Sequence, residues 1–96
     1  MIDTIAVDFD GVIHLYSKGW QDGEIYDEPV EDSFDALRFL MEKYAVFIFT
    51  SRPSLPVGRW LREKGGFNCT IDPGPALEFW NTQGSLLITN RKLPAL

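Results

Sequence analysis

Cysteine, histidine and long apolar runs are what this sequence has least of. One cysteine, Cys69, and one histidine, His14, stand in 96 residues. A lone cysteine cannot close an internal disulfide, and with no CxxC pair or Cys/His cluster nothing points to zinc. Cys69 reads as a small buried hydrophobe. His14 has no partner at metal-ligand spacing and reads as structural. No apolar stretch approaches the ~20 residues that span a bilayer, and the start, MIDTIAVDFD, has neither the basic region nor the cleavage site of a signal peptide. The expectation is a cytoplasmic chain with no membrane partner. Bases are scarce too: 9 Lys and Arg against 14 Asp and Glu give a net charge of −5. That balance disfavours nonspecific binding to nucleic acid, so an anionic substrate would need a local patch of positive charge.

What is present suits one small globular domain over residues 1–96, with 45% hydrophobic and 14% aromatic residues. TIAVDF (4–9) and AVFIFT (45–50) are continuous apolar runs rich in β-branched and aromatic residues, the mark of strands buried on both faces. Between them, Phe34, Leu37, Leu40, Met41 and Tyr44 fall three or four apart and predict an amphipathic helix over 33–44, with Asp32 and Asp35 as its acidic start. Residues 14–30, with Gly19, Gly23 and Pro29, read as a loop that could hold a small hairpin. Val57, Trp60 and Leu61 predict a second helix, tolerant of Pro56 in its first turn and stopped near Gly65. NCTI (68–71) and LLIT (86–89) are further strands, with a short aromatic helix or turn about Phe79 and Trp80 between them. Strand, helix, strand, helix, strand predicts an α/β fold with a parallel sheet. Ligands of such sheets sit beyond the carboxyl ends of the strands, which sets DFDG after the first strand beside TSR after the second.

These residues carry a resemblance. VDFDGVI (7–13), a strand ending in DxDG, is similar to the first motif of the haloacid dehalogenase-like (HAD) hydrolase superfamily. FIFTSR (47–52) resembles that family's second motif, and Lys92 in TNRKLPA falls where its third, a phosphate-binding lysine, would come. The resemblance implies a Rossmann-like three-layer α/β sandwich with a short, mainly parallel sheet and a Mg²⁺-dependent hydrolase acting on phosphate monoesters. It makes Asp8 the nucleophile that becomes an aspartyl phosphate and Asp10 the general acid and base, with both aspartates binding the metal, Asp10 through its backbone carbonyl. The chemistry suits those types: a carboxylate attacking a phosphate must overcome anion repulsion, and a hard dication with oxygen ligands relieves it. Gly11 would let the chain turn so that successive N–H groups meet the phosphate. Thr50, Ser51, Arg52 and Lys92 would complete the phosphate site, Lys92 by neutralising charge in the transition state.

Plainer readings stand beside these. DxDG could be an Asx turn, Thr50 and Ser51 could cap the following segment, and Lys92 could be a solvated surface lysine. Arg52 either reaches the phosphate or pairs with an acid, and the sequence leaves both open. Trp20, Tyr26, Phe67, Phe79 and Trp80 admit a base-stacking surface, but packing explains them more simply.

The resemblance also has a gap. The family's fourth motif places acids on a further strand after the lysine, whereas here no acid follows Glu78 and the sequence runs RKLPAL to Leu96. The expectation is a fold truncated before the motif-four strand, short of its third metal carboxylate. That would leave the first strand with an open apolar edge. LLIT could fold into the slot and bring Asn90 near the missing acid; a second copy of the chain, the outcome expected here, or another protein could cover it instead. Two functions follow: a phosphohydrolase acting on a phosphorylated small molecule or macromolecule through an open site, or a weakly active or inactive domain serving as a binding or interaction module.

Overall fold

A computed structural model describes residues 4–72 and 86–88. The elements are β1 (Thr4–Asp8), α1 (Ser33–Lys43), β2 (Ala45–Phe49), α2 (Ser54–Gly65), β3 (Thr70–Asp72) and β4 (Leu86–Ile88). The four strands form one parallel sheet in the order β3-β2-β1-β4.

The apolar runs form the centre of that sheet because they can be buried on both faces. Ile5, Ala6 and Val7 of β1 are all buried, as are Phe47 and Ile48 of β2. The pleat sends Ile5, Val7 and Ile48 to one face, where they pack with Leu37 and Leu40 of α1 and with Val57, Trp60 and Leu61 of α2. Burying a side chain such as Leu37 or Ile48 contributes roughly 1.5–3 kcal/mol. Ala6 and Phe47 point to the opposite face. Both helices thus lie on one side, and the described residues form two layers of the three expected.

Helix ends follow local chemistry. At the start of α1, Asp32 adopts a left-handed conformation, φ 67°, and makes no side-chain cap, while Asp35 sits in the first turn. Tyr44 closes the helix and turns directly into β2, donating its N–H to the Leu40 carbonyl at 2.8 Å. α2 ends at Gly65, where its stop was predicted, and Gly66, φ 71°, takes the left-handed cap. The N–H groups of Gly66 and Phe67 then reach back to the carbonyls of Arg62 and Leu61.

The expectation of an open β1 edge covered by self-association is corrected. β4 pairs with β1 in parallel, Ile5 with Leu86 and Val7 with Ile88, so the LLIT run fills the slot, β1 is an interior strand and the open edge that was the premise for a dimer is absent. Among the described residues no helix is long and apolar enough to cross a membrane.

Candidate active site

β1 and β2 run in parallel with Asp8 opposite Phe49, so Asp8 and the next residue of β2's exit, Thr50, leave the sheet at the same edge. Asp8 is half-buried, and its Oδ1 accepts the N–H of Phe9 at 2.8 Å. Loss of hydration, with a smaller contribution from the Asp10 charge, raises its pKa above the ordinary carboxylate value, although the Phe9 N–H opposes the shift.

After Phe9 the chain makes a tight turn. The Phe9 carbonyl accepts from the N–H groups of Val12, Ile13 and His14, and the Gly11 N–H donates to the His14 carbonyl at 2.7 Å. Gly11 sits at φ 83°, which an L side chain adopts only with strain. The glycine therefore makes the turn that was expected. The same bonds use the N–H groups of Gly11 and Val12 inside it, so the anticipated anion nest does not form from them.

Both carboxylate oxygens of Asp10 are engaged. Oδ1 lies 2.8 Å from His14 Nδ1, and Oδ2 accepts from Arg52 Nε at 2.8 Å. Arg52 is buried, and its Nη1 donates to the Gly23 carbonyl at 2.9 Å while Trp20 covers the guanidinium at 4.9 Å. Of the two roles left open for Arg52, pairing with an acid is the one observed; its Nη2 is buried with no hydrogen-bond partner among the described residues. Thr50 is buried and its Oγ1 accepts the Arg52 N–H at 3.1 Å, and its hydroxyl proton has no acceptor among the described residues. This bond turns the TSR segment; it does not cap α2, whose N-cap is Pro53. Ser51 is exposed. Lys92 and Asn90, like Phe79 and Trp80, lie outside the described residues.

The loop over 15–30 has its own frame. Asp27 Oδ2 accepts from both the N–H and the hydroxyl of Ser17, which hold its carboxyl below the ordinary range. The Tyr26 hydroxyl takes the Lys18 N–H and donates to the Gly19 carbonyl. In place of the anticipated hairpin there is one isolated antiparallel bridge, His14 to Pro29. Tyr26 meets His14 and Phe67 joins the core, so packing accounts for these two, while Trp20 lies against Arg52 with more than half of its surface exposed.

His14, expected to be structural, is wholly buried, bonded at both ring nitrogens and in contact with Asp10. Its spacing of four from Asp10 was visible, but in a turn that spacing carries no fixed meaning. A metal fits the remaining donors in kind. Asp8 Oδ2 and the Asp10 carbonyl have no hydrogen-bond partner among the described residues. They are hard oxygen donors, and Mg²⁺ needs only one or two protein ligands beside water and phosphate oxygens. No group of three or more metal-ligating side chains occurs among the described residues. Comparison with protein-family models, curated proteins and solved structures finds no match to this chain.

Proposed function

We propose that the chain is a HAD-like phosphohydrolase acting on a phosphate monoester. One observation carries the reading: the parallel register that brings Asp8, at the end of β1, level with the β2 terminus from which Thr50 and Arg52 emerge. In this reading an Asp8 oxygen attacks phosphorus, the new O–P bond forms as the ester P–O bond breaks, and Asp10, protonated on Oδ2 once that oxygen leaves Arg52, gives the proton to the leaving oxygen. Water then cleaves the aspartyl phosphate, with Asp10 taking back the proton. Thr50 donates its hydroxyl proton to a phosphoryl oxygen, and Ser51 and Lys92 complete the phosphate site. Arg52 Nη2 is a donor that such an oxygen could satisfy. The Asp8 carboxylate and the Asp10 carbonyl would hold Mg²⁺, which would supply neutralisation of the anionic charge. The Rossmann-like classification belongs to the same proposal.

The decisive assay is phosphate release from an aryl phosphate with Mg²⁺, native chain against Asp8→Asn. Activity in the native chain that disappears in the variant supports the reading, and activity that survives the substitution sinks it. A second reading, a binding or interaction module with little turnover, draws on the engagement of both Asp10 oxygens, since a proton shuttle must free one. No release from either folded protein favours it.

A further inference from the structure

His14 is the only histidine in the chain and its side chain is wholly buried. Both ring nitrogens are committed. Nε2 faces the backbone N–H of Asp27 at 3.1 Å, and because an amide N–H only donates, Nε2 holds the lone pair. The proton of the neutral ring is then on Nδ1, which donates to Asp10 Oδ1 at 2.8 Å. Phe9 stacks on the ring at 5.5 Å between centroids, while Tyr26 and Trp60 present edge contacts at 5.2 and 5.7 Å. An imidazole packed on three sides and bonded at both nitrogens cannot exchange its tautomer by turning over.

We propose that His14 is a positioning residue for Asp10. Its Nδ1–H fixes Oδ1, so that Oδ2, which now faces Arg52, is the oxygen that can trade that partner for a substrate oxygen without the carboxylate swinging away. The proposal rests on the phosphohydrolase reading and adds a residue to it. A proton donor must lie within hydrogen-bond reach of the atom it serves, and misplacement by about 1 Å costs about 10²-fold in rate. Asp27 completes the device from the far side, because its backbone sets the tautomer and its carboxylate is itself held by Ser17.

Two amide substitutions separate the two ring nitrogens. His14→Asn puts an N–H donor near the place of Nδ1 and gives up the acceptor for Asp27. His14→Gln puts an acceptor near the place of Nε2 and gives up the donor to Asp10. With nitrophenyl phosphate and Mg²⁺, and with folding of each full-length variant checked by circular dichroism, His14→Asn should keep kcat within about tenfold of the native chain. His14→Gln should lose about 10²-fold in kcat at unchanged KM. Equal losses in the two, or a loss confined to KM, overturn the role. A second measurement needs no turnover: the long-range proton–nitrogen spectrum of the single imidazole should show the proton on Nδ1, and a proton on Nε2 overturns the proposal whichever variant folds. A native chain that releases no phosphate ends the parent reading and this role together. Native activity with equal variant losses ends only the role of His14.

Discussion

Arg52 Nε and Asp10 Oδ2 meet at 2.8 Å across 42 positions of sequence. With the Arg52 side chain only 3% exposed and Asp10 at 22%, the pair is sheltered from salt. It ties the loop after β1 to the loop after β2, and through Gly23 it fastens the long loop to both.

Removing one partner of such a pair leaves the other charge without compensation. Arg52→Met should therefore destabilise the fold by about 3–5 kcal/mol. Arg52→Lys should recover only part of this, because an ammonium lacks the planar fork that serves Asp10 and Gly23 together. Urea unfolding midpoints measure both. A native-like midpoint for Arg52→Met would show that the pair contributes nothing to the fold.

Segments with a dense local signal were the legible ones. Residues 45–49 are apolar without a break and occupy an interior strand, and Leu37, Leu40, Val57 and Leu61 line the buried faces their spacing predicts. What stayed hidden depends on contacts between distant residues. The pairing of β4 with β1 was one of three outcomes open to the β1 edge, and no pattern in Leu86–Ile88 alone selects it. The choice of Arg52 between phosphate and acid was decided by the approach of Asp10, and His14 acquired its role from a turn at one nitrogen and from Asp27, 13 positions on, at the other. Three turn bonds at the Phe9 carbonyl and one at Gly11 likewise removed the nest that DxDG suggested.

The two α2 glycines should respond to alanine with opposite signs. At Gly58 a Cβ would meet Ile71 Cγ1 at 4.0 Å, an ordinary contact, so Gly58→Ala should gain up to about 1 kcal/mol from helix propensity. At Gly65 a Cβ would stand 2.5 Å from Phe67 Cε2 and 2.7 Å from Phe34 Cε2, two rings already packed edge to face. Overpacking there should outweigh propensity, leaving Gly65→Ala destabilised by about 1–2 kcal/mol. Thermal unfolding of the two variants beside the native chain tests the pair, and a stabilised Gly65→Ala would contradict the packing described for Phe34 and Phe67.

Cys69 should be slow to react while the chain is folded. Burial raises its thiol pKa from 9.0 to about 11, and its Sγ rests 3.8 Å from Met41 Sδ. The thiolate is the reactive form, so a shift of that size lowers its population at pH 8 by about 10²-fold and slows alkylation in proportion. Because the folded thiol holds its proton longer than the unfolded one, stability should also decline as pH rises from 9.0 toward 11. Iodoacetamide labelling in native buffer and in urea measures the first effect. Equal rates in the two would remove the burial on which the prediction stands.

Asp8 joins the proposed chemistry to a cost in stability. Its carboxyl titrates above the ordinary value of 3.8, chiefly because burial penalises the charge. Between 3.8 and that raised value the folded chain keeps a proton the unfolded chain has shed, so this residue's contribution to stability falls as pH rises through the window. Above it the ionised carboxylate is a net penalty. Asp8→Asn removes the penalty while still presenting an oxygen to the Phe9 N–H, so the variant should melt at a higher temperature than the native chain at neutral pH. The difference should close on acidification below 3.8, where the native carboxyl is itself neutral. The same substitution removes the proposed nucleophile and should reduce phosphate release to background. Melting curves across pH and an aryl phosphate assay on one pair of proteins test both halves. A variant that is more stable and silent fits a residue kept for its chemistry, whereas one that is less stable and equally active makes Asp8 an ordinary member of the turn.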